Sequence, residues 1–150
     1  MSPFLLSSLL LVTPPAGPVS WSFSAKPAHE GQVTVEIVAK VEEGWHIYAT
    51  RLESDMGPIP TSFHFEQSAA YVPVGGIREP QPEEVFDPNF GMQVRYHSGS
   101  PVFTQQFKVV QAEEFAVKAQ VEFMVCNDKT CLPPEVVEFT VTLPEEVSKP

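Results

Sequence analysis

The chain has 150 residues, with nine Lys and Arg against nineteen Asp and Glu and a formal net charge of −10. That balance argues against nucleic acid and anionic membranes as partners, because contacts to phosphates rest on Lys and Arg, and 43% hydrophobic with 11% aromatic residues is too apolar for a disordered acidic chain. Sixteen prolines, roughly twice the usual share of about 5%, fall without a repeat period, which excludes collagen-like and solenoid chains and suggests short strands joined by stiff turns.

No charged residue precedes Lys26. Residues 4–12 form an apolar run broken only by Ser7 and Ser8. Such a run fits the apolar region of a secretory signal, about 7–15 residues, and is too short to cross a bilayer, which takes about 20. No Lys or Arg precedes Phe4, and no Cys follows the run closely enough for lipid attachment. Residues 1–20 are therefore expected to be a secretory leader, 21–145 a folded domain and 146–150 a solvated tail.

From Gly31 onward the pattern has period two. Val33, Val35, Ile37, Ala39 and Val41 share one face, and Thr34, Glu36, Val38 and Lys40 the other, as in a half-buried strand. Residues 45–49 predict a short aromatic strand. Gly57-Pro58-Ile59-Pro60 is a stiff connector. Residues 62–66 predict a strand with Phe63 and Phe65 inward and His64 outward, and 71–74 another, ended by Gly75-Gly76. Residues 78–91, with three prolines among acidic residues, predict irregular chain. Residues 92–96 and 102–110 predict a hairpin around Ser98-Gly99-Ser100-Pro101. Alternation then runs from Phe115 to Cys126 and, after Cys131-Leu132-Pro133-Pro134, from Val137 to Leu143. No segment carries a 3.6-residue apolar stripe. The expected fold is all-β, an immunoglobulin-like antiparallel β-sandwich of eight or nine strands. It lacks the distant cysteine pair and intervening Trp of antibody domains.

The two cysteines are Cys126 and Cys131, separated by Asn127-Asp128-Lys129-Thr130. A four-residue hairpin loop sets its flanking positions opposite one another, Cα atoms about 4.5–5.5 Å apart and within disulfide reach. A stabilising staple is common in secreted domains. Closing about six residues gives only roughly 2 kcal/mol, however, against about 4.7 for a 100-residue loop. A reversible redox pair needs two thiols in reach of each other on an exposed turn that opens without unfolding the domain. The spacing favours that reading over the staple. Lys129 could raise the thiolate fraction, the attacking species, with Asp128 opposing it. Pro133 and Pro134 remove backbone donors beside Cys131 and leave an apolar lip for a docking partner.

Metal binding is the competing chemistry. His46, His64, His97, Met92 and Met124 could join the thiols, but no His follows Cys131 at cupredoxin spacing and no second Cys pair completes a zinc ribbon. Lone histidines on strands are more often surface or satisfied core residues. No Gly-x-Ser-x-Gly or phosphate-cradling Gly-rich loop occurs. No metal or other cofactor is expected.

The segment Phe123-Met124-Val125-Cys126-Asn127-Asp128-Lys129-Thr130-Cys131-Leu132-Pro133-Pro134 resembles the active-site hairpin of the N-terminal periplasmic domain of DsbD-type thiol:disulfide interchange proteins. Gly44-Trp45-His46-Ile47-Tyr48, Gly57-Pro58-Ile59-Pro60-Thr61-Ser62-Phe63 and Asp87-Pro88-Asn89-Phe90-Gly91 follow in the order that family shows. The resemblance runs from about Val33 to Leu143. It implies an immunoglobulin-like fold and thiol–disulfide exchange without a cofactor. Electrons would come from a membrane-embedded thiol carrier of the DsbD/CcdA type. They would pass to periplasmic thioredoxin-like proteins, disulfide isomerases or cytochrome c maturation thioredoxins. It implies further that Cys131 attacks partners and Cys126 resolves. An aromatic of a cap loop would cover the pair, Phe90 first and Phe86 second, with Tyr48 and Asp87 nearby. His46 stands where a Tyr is familiar, and the Cys-x4-Cys spacing is one residue shorter than in the best-known members. No membrane segment or thioredoxin-like domain occurs in these 150 residues, so the chain is expected to be a stand-alone relay or one piece of a split or truncated system. The alternatives are a secreted β-sandwich binding module with a structural disulfide and, more weakly, metal handling in copper or haem maturation.

Overall fold

The structure, a computed structural model, describes residues 17–27, 31–111 and 113–143. The expected tail lies outside these residues, as does most of the expected leader. Val19 and Ser20, at the leader's end, open the first strand.

Period-two alternation builds the core. β2 (Gln32–Val41) buries Val33, Val35, Ile37 and Ala39 completely and leaves Lys40 exposed. Its partner β1 (Val19–Pro27) sets Trp21 opposite Ala39 and Phe23 opposite Ile37. β8 (Val102–Val109) pairs with the other edge of β2, and β5 (Tyr71–Arg78) follows, giving the order β1-β2-β8-β5. A second sheet, ordered β11-β9-β4, holds β11 (Glu135–Leu143), β9 (Phe115–Phe123) and β4 (Ser62–Phe65). Aromatic side chains join the two sheets. Trp21 meets Phe123 at 5.2 Å between ring centroids, and Phe65 meets Phe107 at 5.1 Å, both edge to face. Each such ring contributes about 1.5–3 kcal/mol on burial, and the edge-to-face geometry suits the ring quadrupoles.

The third sheet runs β10-β3-β7-β6, made of β10 (Val125–Cys126), β3 (His46–Tyr48), β7 (Met92–His97) and β6 (Glu83–Asp87). It has its own small core, in which Tyr48, Val94, Met124 and Cys126 are buried and Leu52, Ile59, Phe90 and Cys131 pack against them. All eleven strands pair antiparallel and no helix occurs among the described residues. The all-β sandwich is thus as expected, with Phe63 and Phe65 turned inward and His64 exposed. The described residues form eleven strands where eight or nine were expected, because short pieces such as β6 and β10 carry no alternation of their own.

Four local expectations need correcting. β5 continues through Gly75-Gly76 to Arg78 with a register shift between Val74 and Arg78. Gly75 takes φ of 71°, so the glycine makes a bulge in the strand and does not end it. The stretch 78–91 is not irregular throughout: Glu83–Asp87 is β6, between its flanking prolines. β7 and β8 are not a hairpin but members of different sheets. Pro101 has no N–H to close a ladder, and the link instead satisfies β2, whose Val41 and Ala39 N–H groups donate to the Gly99 and Pro101 carbonyls at 2.8 and 3.1 Å. Finally, the alternation from Phe115 does not reach Cys126 as one strand. Phe123, Met124, Val125 and Cys126 are all buried, because here the chain leaves one sheet and enters another and is covered on both faces.

Candidate functional site

β10 exists because Val125 and Cys126 pair with β3. Ile47 lies opposite Val125 and His46 opposite Cys126. Cys126 is disulfide-bonded to Cys131, with the two Cα atoms 4.0 Å apart. The pair forms an isolated bridge, as the spacing predicts. Cys131 does not begin the next strand; β11 starts four residues later, at Glu135. The loop between the cysteines organises itself: Asn127 Oδ1 accepts the Lys129 and Thr130 N–H groups at 2.9 and 2.8 Å, and the Asn127 N–H donates to the Thr130 carbonyl at 2.9 Å. Leu132 N–H donates to the Val125 carbonyl at 2.9 Å.

The turn between β6 and β7 lies against this loop. Asp87 Oδ1 accepts the Asn89 N–H at 2.9 Å, and the Asp87 carbonyl accepts the Phe90 and Gly91 N–H groups at 3.2 and 2.8 Å. Gly91 takes φ of 63°, a value side chains disfavour, and so lets the chain re-enter β7. Asn89 Nδ2 reaches across to donate to the Asn127 carbonyl at 2.7 Å, tying the turn to the cysteine loop. Phe90 is half-buried, packs on the cluster that contains Cys126, and meets Tyr48 edge to face at 6.1 Å.

Beneath these groups runs a buried polar chain. The Tyr48 hydroxyl donates to Asp87 Oδ2 at 2.5 Å, and His46 Nε2 lies 3.2 Å from the same hydroxyl oxygen. His46 Nε2 is also 3.7 Å from Asp87 Oδ2. Tyr48 is fully buried and Asp87 is 2% exposed. Burial, then the hydrogen bond and charge of Asp87, push the Tyr48 phenol far above its ordinary value. Burial pushes the His46 imidazole down, against the opposing carboxylates of Asp87 and Asp128. Tyr96, whose ring is 4.2 Å from that of His46, is pushed up by burial and then by the nearby carboxylate of Glu83.

Of the residues expected at a site, Cys126, Cys131, Phe90, Asp87 and Tyr48 come together here. Phe86 does not. Its neighbours on β6 alternate, Asp87 turning inward, and Phe86 is 61% exposed. Lys129 and Asp128 stand exposed at the loop tip, and Pro133 and Pro134 are exposed beside Cys131. The pair itself does not sit on an exposed turn as expected: Cys126 is 0% exposed and Cys131 half-buried. Tyr48, Val94 and Met124 bury the first cysteine, and the second packs on the same cluster but stays partly open to solvent. Sequence reasoning missed His46 as a site residue. Its signal was the His-x-Tyr spacing, which puts His46 and Tyr48 on one face of a strand. It also missed Asn89 and Asn127, whose contact depends on two loops meeting.

The sequence matches the family described as thiol:disulfide interchange protein DsbD, N-terminal, over residues 14–143. The chain belongs to this family of DsbD N-terminal domains. Among solved structures it is similar to the N-terminal periplasmic domain of ScsB from Proteus mirabilis, with 16% identity and a TM-score of 0.63. That match covers 91% of this chain and 50% of the other, so the chain spans half the length of that structure. The reduced DsbD N-terminal domain of Neisseria meningitidis is similar at 19% identity and a TM-score of 0.54, covering 88% of this chain and 90% of that one. The Neisseria meningitidis complex between the DsbD N-terminal and PilB N-terminal domains gives 16% identity and a TM-score of 0.52, with 85% of each chain covered. No curated protein sequence matches. These likenesses show the fold, the immunoglobulin-like sandwich expected of the sequence.

Proposed function

We propose that this domain exchanges disulfides with periplasmic partners through Cys126 and Cys131. The observation that carries the reading is the asymmetry of the pair within a DsbD N-terminal family fold: the two cysteines are bonded to each other, Cys131 is half-buried and Cys126 wholly buried. A partner sulfur can approach only the outer cysteine. Cys131 therefore forms the mixed disulfide as thiolate, and Cys126 closes onto Cys131 to release the reduced partner. The resulting bond is re-reduced by a membrane-embedded thiol carrier. Thioredoxin-like proteins, disulfide isomerases and the thioredoxins of cytochrome c maturation are the electron acceptors, and the apolar run at residues 4–12 serves as an export leader. Phe90 acts as the cap over the pair, with the exposed Pro133-Pro134 lip as the docking edge.

Cys126→Ala, reduced and mixed with an oxidised thioredoxin-like protein, should accumulate a dithiothreitol-sensitive adduct through Cys131. An adduct formed only by Cys131→Ala would reverse the roles, and no adduct from either variant would contradict exchange. The complete burial of Cys126 favours one competing reading, a binding module in which the bond is a permanent staple.

A further inference from the structure

Cys126 presents a problem for any closing step. A thiolate needs hydration or a positive neighbour, and Cys126 is enclosed by Tyr48, Val94 and Met124. The register sets one ionisable side chain directly against it. His46 pairs with Cys126 across the β3–β10 ladder, so the two side chains share a face with Cβ atoms about 4.5–5.5 Å apart. His46 is itself buried.

The hydrogen bonds fix which imidazole nitrogen is available. The single Tyr48 hydroxyl proton goes to Asp87 Oδ2, so towards His46 the hydroxyl can only accept. His46 Nε2 must then carry the hydrogen of their 3.2 Å contact, and in the neutral ring the accepting atom is Nδ1. Resting on the exchange reading above, we propose that His46 is the proton acceptor for Cys126 when the pair closes. In the mixed disulfide Cys131 Sγ is bonded to the partner sulfur and Cys126 is a thiol. The thiol proton passes to His46, and the thiolate attacks Cys131 Sγ. The Cys126–Cys131 bond forms as the bond from Cys131 to the partner breaks. The partner sulfur leaves with the electron pair and is protonated, and the imidazolium returns its proton to solvent. Asp87, 3.7 Å from Nε2, stabilises the transient imidazolium.

The groups facing His46 are Tyr48 on its own strand, Asp87 at the end of β6, Tyr96 on β7, Cys126 on β10 and the nearby carboxylate of Asp128 in the cysteine loop. Both tyrosines are held protonated across the physiological range by burial, Asp87 already accepts with both oxygens, from Tyr48 and Asn89, and Asp128 is exposed at the loop tip, which leaves His46 as the base paired with Cys126. Its own depressed value keeps the ring neutral and ready to accept at pH 7.

The test follows the reaction of the full reduced chain with a symmetric nitroaromatic disulfide whose thiolate product is coloured. A first release reports attack on the reagent, and a second reports closure of the pair. In the unaltered protein the closure rate should rise through the imidazole ionisation and then stay flat through neutral pH. In His46→Phe and His46→Gln closure should slow by about 100-fold at pH 7 and climb about tenfold per pH unit with the thiolate fraction. His46→Gln keeps a donor for Tyr48, so it carries the comparison if the Phe variant does not fold. A closure rate and pH profile in folded His46→Gln equal to those of the unaltered protein would overturn the proposal. No coloured release from the unaltered protein would instead overturn the exchange reading on which it rests.

Discussion

Asp87 holds three parts of the site at once. Its two carboxylate oxygens accept from the Tyr48 hydroxyl and the Asn89 N–H, and its carbonyl closes the turn beneath Phe90. Asp87→Ala should therefore cost about 1–3 kcal/mol, since it strands the buried Tyr48 hydroxyl without an acceptor; denaturant unfolding of the oxidised protein measures this, and an unchanged midpoint would contradict it. Phe90→Ala should speed alkylation of the reduced thiols several-fold, and an unaltered rate would remove the cap role. Asp87, Phe90 and Tyr48 were named from the sequence through the resemblance of their short motifs, and the structure places them together beside Cys126. His46 was visible in the sequence as one of several possible metal ligands and as a departure from a Tyr, not as a partner of Cys126. Its place opposite Cys126 depends on the β3–β10 register, which no local pattern of two- and three-residue strands specifies.

At the scale of elements, the site is where two turns from distant parts of the chain meet, joined by Asn89 and the Asn127 carbonyl. Asn89→Ala should cost about 0.5–1.5 kcal/mol and, like Phe90→Ala, accelerate alkylation, because the cap turn loses its tie to the cysteine loop. Alkylation at the original rate would show that Phe90 packing alone holds the turn. Strands long enough to alternate, such as β2, were legible directly. β6 was hidden because its buried Asp87 and exposed Phe86 invert the usual apolar-inside pattern. The false hairpin of β7 and β8 arose because a Gly-Ser-Pro link reads alike whether it turns the chain back or carries it to another sheet.

Across the whole molecule, the disulfide belongs to a small cluster apart from the main aromatic core. Opening it should leave the sandwich folded, at a cost of roughly 2 kcal/mol or less, whereas Phe107→Ala in the main core should cost about 3–5 kcal/mol. The buried pair His46 and Tyr48 also shapes the pH dependence. The folded His46 value lies below its ordinary 6.5, so between the two values the unfolded chain binds more protons and stability falls as pH drops below 6.5. The folded Tyr48 value lies above its ordinary 10.0, so there the folded chain binds more protons and stability falls as pH rises past 10. Thermal unfolding across pH should show both limbs, the acid one shallower in His46→Phe.

The function of the domain turns on whether the bond between Cys126 and Cys131 is a working one. Equilibrating the folded protein with glutathione buffers and reading the fraction of reduced pair gives its potential. An exchange domain should poise well above about −300 mV, within reach of thiol partners, whereas a value well below about −300 mV is that of a structural disulfide and would contradict the account.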